Sequence, residues 1–123
     1  MKITIQYFTV PGRSAYLGER GREDVKITIQ YFTGCPNWRL AEQRVRQAMA
    51  DVGLTGVLDL VAVETPEEAE RLGFRGSPTV LIDGCDPFAE EGAPVGLACR
   101  LYRTEQGAQG APTIAQLREV LRG

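Results

Sequence analysis

Between Lys26 and Val63 the hydrophobic period changes twice, and this constrains the fold more than any other feature of the chain. Over 26–32, Ile27, Ile29 and Tyr31 alternate with Thr28, Gln30 and Phe32, the period of two expected of a strand. Between Asn37 and Val52 the apolar positions Trp38, Leu40, Ala41, Val45, Ala48, Met49 and Val52 recur at spacings of three and four. Arg39, Glu42, Arg46 and Gln47 take the opposite face, and Gly53 supplies a C-terminal stop. Residues 57–63 then read as a second strand. A strand, a crossover helix and a strand in so short a span imply parallel pairing in one sheet.

The remainder extends this unit. Thr65-Pro66-Glu67-Glu68 is a capping box with proline at the first helical position, predicting a short helix to about Leu72. Residues 79–82 form an apolar third strand ended by Asp83-Gly84, and 85–97 form an irregular insertion. Residues 100–103 predict a fourth strand returning to pair with the third, and Thr113 with Gln116 caps a last helix to Leu121. The order β-α-β-α-β-β-α is that of an α/β sandwich. At 123 residues a single domain is expected, placed at 26–123.

Residues 1–25 form an N-terminal extension with a peculiarity: the segment KITIQYFT at 2–9 recurs unchanged at 26–33. With no third copy a solenoid is excluded. The repeat reads as a local duplication, a misplaced start or an artefactual scar, and its first copy either adds an extra strand or is a weakly held extension.

Composition narrows the chemistry. The chain has no histidine, which removes Ser-His-Asp and Cys-His catalysis and His-ligated zinc. A net charge of −2 with mixed signs argues against nucleic-acid binding. No apolar window reaches the length of a membrane span and no clean signal peptide is visible, so a cytoplasmic protein that avoids membranes is expected. Cys35, Cys85 and Cys99 contain no C-x-x-C pair, which excludes a four-thiolate zinc site; no metal and no organic cofactor are expected.

Cys35 stands between a strand end and a helix start, followed by Pro36. There its sulfur meets unpaired first-turn N–H groups and the positive end of the helix dipole, which favour thiolate over thiol. The plainer reading is a small inert residue filling a corner.

The segment Gly73-Phe74-Arg75-Gly76-Ser77-Pro78-Thr79-Val80-Leu81-Ile82-Asp83-Gly84 resembles the G-[IV]-R-G-x-P-T stretch of the thioredoxin superfamily, and 27–38 resembles the glutaredoxin pattern of strand, C-P-x-C and helix. The resemblance covers about 26–122. It implies a thioredoxin-like three-layer sandwich with a mixed four-stranded sheet and flanking helices, and a cis Ser77–Pro78 bond facing Cys35. It also implies a substrate shelf at Ser77 and Pro78, with Gly34 and the first-turn amides around the thiolate and Trp38 and Tyr31 as apolar walls, unless Trp38 packs into the core. Where a dithiol member of that family carries its second cysteine, this chain has Trp38.

The expected function is therefore thiol–disulfide exchange through Cys35 alone, with protein or low-molecular-weight thiols as partners and the chain as a monomer. Resolution by an external thiol, oxidation of Cys35 to a sulfenic acid, and a distant resolving cysteine are the three routes. A four-residue strand spans about 13 Å, beyond the ~7 Å Cα limit of a disulfide. Cys85 and Cys99 are accordingly expected at the far end of a hairpin from Cys35, as two separate thiols or facing one another, unless the insertion folds back. The stretches 63–70 and 86–102 are also similar to small proteins labelled alkylmercury lyase. That reading would place Cys35, Cys99 and Asp83 or Asp86 around a soft metal. A binding module without turnover is the third alternative.

Overall fold

In the computed structural model, residues 2–8, as backbone, and 25–122 are described. The elements are β1 (Lys2–Phe8), β2 (Val25–Tyr31), α1 (Asn37–Val52), β3 (Gly56–Ala62), α2 (Pro66–Leu72), β4 (Thr79–Ile82), β5 (Tyr102–Thr104), β6 (Gly107–Gln109) and α3 (Ile114–Arg122). β2 pairs parallel with β3 and antiparallel with β4, so the centre of the fold is a mixed sheet in the order β3-β2-β4. The β-α-β unit and the short helix after it form where the periodicity and capping signals predict them.

The first copy of the repeat becomes β1, antiparallel on the outer edge of β3, with Lys2 opposite Ala62 and Phe8 opposite Gly56. The second copy lies on the other edge of β3, parallel to it. The same text thus pairs with one strand in both directions; a two-residue alternation has no preferred sense along the ladder.

α1 lies against α3, and Ala41, Val45, Ala48 and Met49 of α1 are buried. With Ile27, Ile29, Leu58, Leu60, Val80, Leu117 and Leu121, Val45, Ala48 and Met49 form the main core, so most of the helical stripe meets the strand faces as expected, whereas Leu40, also assigned to the stripe, is exposed. A smaller cluster of Val63, Ala69 and Phe74, joined by Phe32, Leu72 and Leu97, ties α2 to the insertion. Both capping boxes are made: Thr65 Oγ1 accepts from Glu68 N at 3.1 Å, while Thr113 and Gln116 exchange bonds of 3.1 and 3.0 Å.

The expected fourth strand does not form. β5 folds back on β6 as a separate two-stranded ribbon, turning at Gly107 (φ +95°), where Thr104 Oγ1 donates to the Gly107 carbonyl. The chain reaches the sheet earlier, at residues 98–100, and pairs not with β4 but with Ser77, two residues before it. Ser77 N donates to the Ala98 carbonyl at 2.7 Å and Arg100 N to the Ser77 carbonyl at 2.8 Å.

Candidate functional site

β2 ends at Tyr31, and a turn closed by Cys35 N donating to the Phe32 carbonyl (2.9 Å) delivers Cys35 to the start of α1. Cys35 is fully buried. Pro36 is the N-cap, no side chain caps the helix, and its first turn holds no acidic residue. The positive end of α1 is therefore left open beside the sulfur.

The Ser77–Pro78 bond is cis. Cys35 Sγ lies 3.6 Å from the Ser77 carbonyl oxygen. Ser77 is itself buried, and its hydroxyl has no hydrogen-bond partner. Tyr102 Oη donates to the Pro78 carbonyl at 2.5 Å, fastening the next residue of the same segment. Burial pushes the Tyr102 phenol up, the Asp86 charge adds to this, and the nearby Arg100 opposes it. Trp38 stacks on Tyr31 with ring centroids 4.3 Å apart and packs against the core, so the wall and core readings of Trp38 describe one position. Burial, followed by the negative charges of Glu64 and Glu42, raises the Tyr31 phenol. Gly34 sits under the Phe32 ring, where a Cβ would come within 2.8 Å of ring atoms.

The largest correction concerns the cysteines. Cys35 and Cys99 are joined in a disulfide, with Cα atoms 5.8 Å apart across 64 residues of chain. The expectation that Cys99 lies out of reach fails because the insertion folds back. Asp86 Oδ1 accepts from Phe88 N, opening a turn, and the Arg100 guanidinium binds Asp86 (2.8 Å), the Phe88 carbonyl (2.7 Å) and the ring of Tyr102. The far end is pinned by Gly96 N donating to the Phe74 carbonyl and by Arg75 donating to the Ala93 carbonyl. Gly76 admits the returning segment: its φ is +119°, and a Cβ there would come 2.9 Å from Arg100 Cβ.

Cys85 takes no part. It is an exposed free thiol beyond β4, exchanging backbone bonds with Ile82, so Cys85 and Cys99 do not face each other. Asp83 bonds the backbone of Lys26, at the opposite end of β2 from Cys35. Among the described residues no three of His, Cys, Asp and Glu converge on a metal-sized point. Two members of the expected lyase set, Cys35 and Cys99, do meet, but Asp83 is remote and Asp86 is bound to Arg100.

The signal the sequence reading passed over is the pair Asp86 and Arg100, opposite charges bracketing the insertion, together with Gly76 before the proline. Comparison with models of protein families, with curated proteins and with solved structures finds no match for the chain. No helix among the described residues is long and apolar enough to cross a membrane.

Proposed function

We propose that the chain is a thiol–disulfide exchange protein of thioredoxin-like architecture whose redox pair is Cys35 and Cys99. One observation carries the reading: a disulfide whose buried sulfur lies at an uncapped helix start, 3.6 Å from the carbonyl that precedes a cis-proline. The order β3-β2-β4, with one parallel and one antiparallel neighbour of β2, supports the architecture. With Cys99 in reach, the second cysteine absent from the Trp38 position is supplied from the insertion, and the single-cysteine reading gives way to a dithiol one.

In the reducing direction an external thiolate attacks one sulfur and the other leaves as a thiolate. A second external thiolate then attacks the mixed disulfide, releasing the external disulfide and leaving both protein thiols reduced, their protons taken from solvent. Two electrons pass from two external thiols to the protein; oxidation runs the same steps backwards. Cys35 is the member whose thiolate the open helix end stabilises, which makes it the better leaving group.

The test is to equilibrate the native protein with glutathione redox mixtures and follow the Cys35–Cys99 bond by alkylation and mass. Exchange within minutes, abolished in Cys35→Ser and Cys99→Ser, is the expected result. A bond that withstands excess reduced glutathione until the protein is unfolded would assign it a purely structural role and favour the binding-module reading.

A further inference from the structure

The two sulfurs of the disulfide are not equivalent to solvent. Cys35 is fully buried, whereas Cys99 is exposed and lines a cleft of about 400 Å³ that Cys35 does not reach. The cleft is lined by Arg75, Arg100, Asp86 and Glu90 together with the exposed side chains of Val95 and Leu101; Arg100 is held by Asp86, Arg75 also donates to the Ala93 carbonyl, and Glu90 also pairs with the exposed Arg103. A cleft of this size accommodates a small molecule, and guanidinium groups beside a carboxylate complement a zwitterion carrying both carboxylates and an ammonium.

Resting on the exchange reading above, we propose that Cys99, not Cys35, is the sulfur that external thiols engage, and that the cleft beside it seats the body of a low-molecular-weight zwitterionic thiol. The incoming thiolate RS⁻ forms its bond to Cys99 Sγ as the Cys35–Cys99 bond breaks. The electron pair goes to Cys35, which leaves as a thiolate into the open end of α1. Access and leaving-group stability select the same direction of attack. The product carries the adduct on the segment 98–100, which stays held by the pair of backbone bonds to Ser77 and by the Arg100 side chain on Thr79, Asp86 and the Phe88 carbonyl. A second RS⁻ releases RSSR and frees Cys99 as a thiolate; with RSSR as oxidant, Cys99 accepts the adduct and Cys35 displaces it.

The experiment mixes the oxidised native protein with reduced glutathione, quenches in acid within the first turnover, alkylates and maps the peptides. The expected product bears glutathione on Cys99 and the alkyl group on Cys35, with at least a tenfold excess over the reverse pattern. Glutathione on Cys35, or reduction that proceeds without a Cys99 adduct, overturns the proposal. A disulfide inert to glutathione overturns instead the exchange reading beneath it. The cleft is read separately, by the rate with glutathione against that with 2-mercaptoethanol, which has no charged body. Arg75→Gln, which also removes the bond to the Ala93 carbonyl, is expected to slow the first three- to tenfold more than the second; equal effects on both rates overturn the assignment of the cleft.

Discussion

The two ends of the disulfide are held by different kinds of structure. Cys35 belongs to a corner fixed by β2, α1 and the core, where displacement would break the sheet or the helix. Cys99 belongs to a returning segment held by two backbone bonds to Ser77, by the Arg100 cluster and by the disulfide itself. A buried sulfur on the core frame therefore faces an exposed one on a locally tethered segment, the arrangement the proposed exchange would use.

The largest effect that bears on this comparison is loss of either sulfur. Cys35→Ser or Cys99→Ser is expected to lower the two-electron exchange with glutathione more than a hundredfold, Cys35→Ser stopping at a glutathione adduct on Cys99, while Cys85→Ser leaves it unchanged; a comparable loss in Cys85→Ser would break the pairing. Next comes the tether. Arg100→Ala removes a half-buried ion pair with Asp86, the bond to the Phe88 carbonyl and the ring contact with Tyr102, and about 2–3 kcal/mol of stability should go with them in urea unfolding of the oxidised protein. Arg103→Ala, which breaks an exposed pair with Glu90, should cost less than about 0.5 kcal/mol. Equal losses would mean that Arg100 does not anchor the insertion.

Gly76→Ala combines a positive φ with a Cβ 2.9 Å from Arg100 Cβ, and about 1–3 kcal/mol is expected, read as a lowered melting temperature. A change confined to the oxidised protein would place the strain on the returning segment, and one shared by the reduced protein would place it in the 73–78 turn.

pH separates the regions again. The Tyr102 phenol is raised by burial, so the folded state holds its proton more tightly than the unfolded chain does. Its contribution is complete below the unfolded value of about 10 and is lost as pH climbs from there towards the folded value. Tyr102→Phe should flatten that alkaline decline in part, since Tyr31 is raised in the same sense, and should also remove the bond to Pro78. The smallest effect concerns the unpartnered Ser77 hydroxyl beside Cys35. If it donates to the freed thiolate, Ser77→Ala shifts the alkylation profile of Cys35 to higher pH by about one unit or less. An unchanged profile would leave the helix end as the source of stabilisation.

Much of the frame was legible. The alternation at 26–32, the three-and-four spacing at 37–52 and the boxes at Thr65 and Thr113 all report contacts within a few residues, and each element appears within about one residue of its predicted place. The position of Cys35 at the strand-to-helix corner followed from the same signals. The partner of Cys35 did not. A straight hairpin over 79–103 would hold Cys99 away from Cys35, but Asp86, Arg100 and Gly76 turn that stretch back across the end of the sheet.

By itself, the sequence determined β2, β3, β4, the helices and the cysteine at the open helix end, because neighbours along the chain settle dihedral preference and hydrophobic period, while the strand expected at 100–103 gave way to the β5–β6 ribbon. Tertiary structure alone decided that Cys99 closes on Cys35 and that one sulfur is buried while the other faces a cleft. A contact across 64 residues depends on the path the chain takes through the fold, and no local pattern encodes that path.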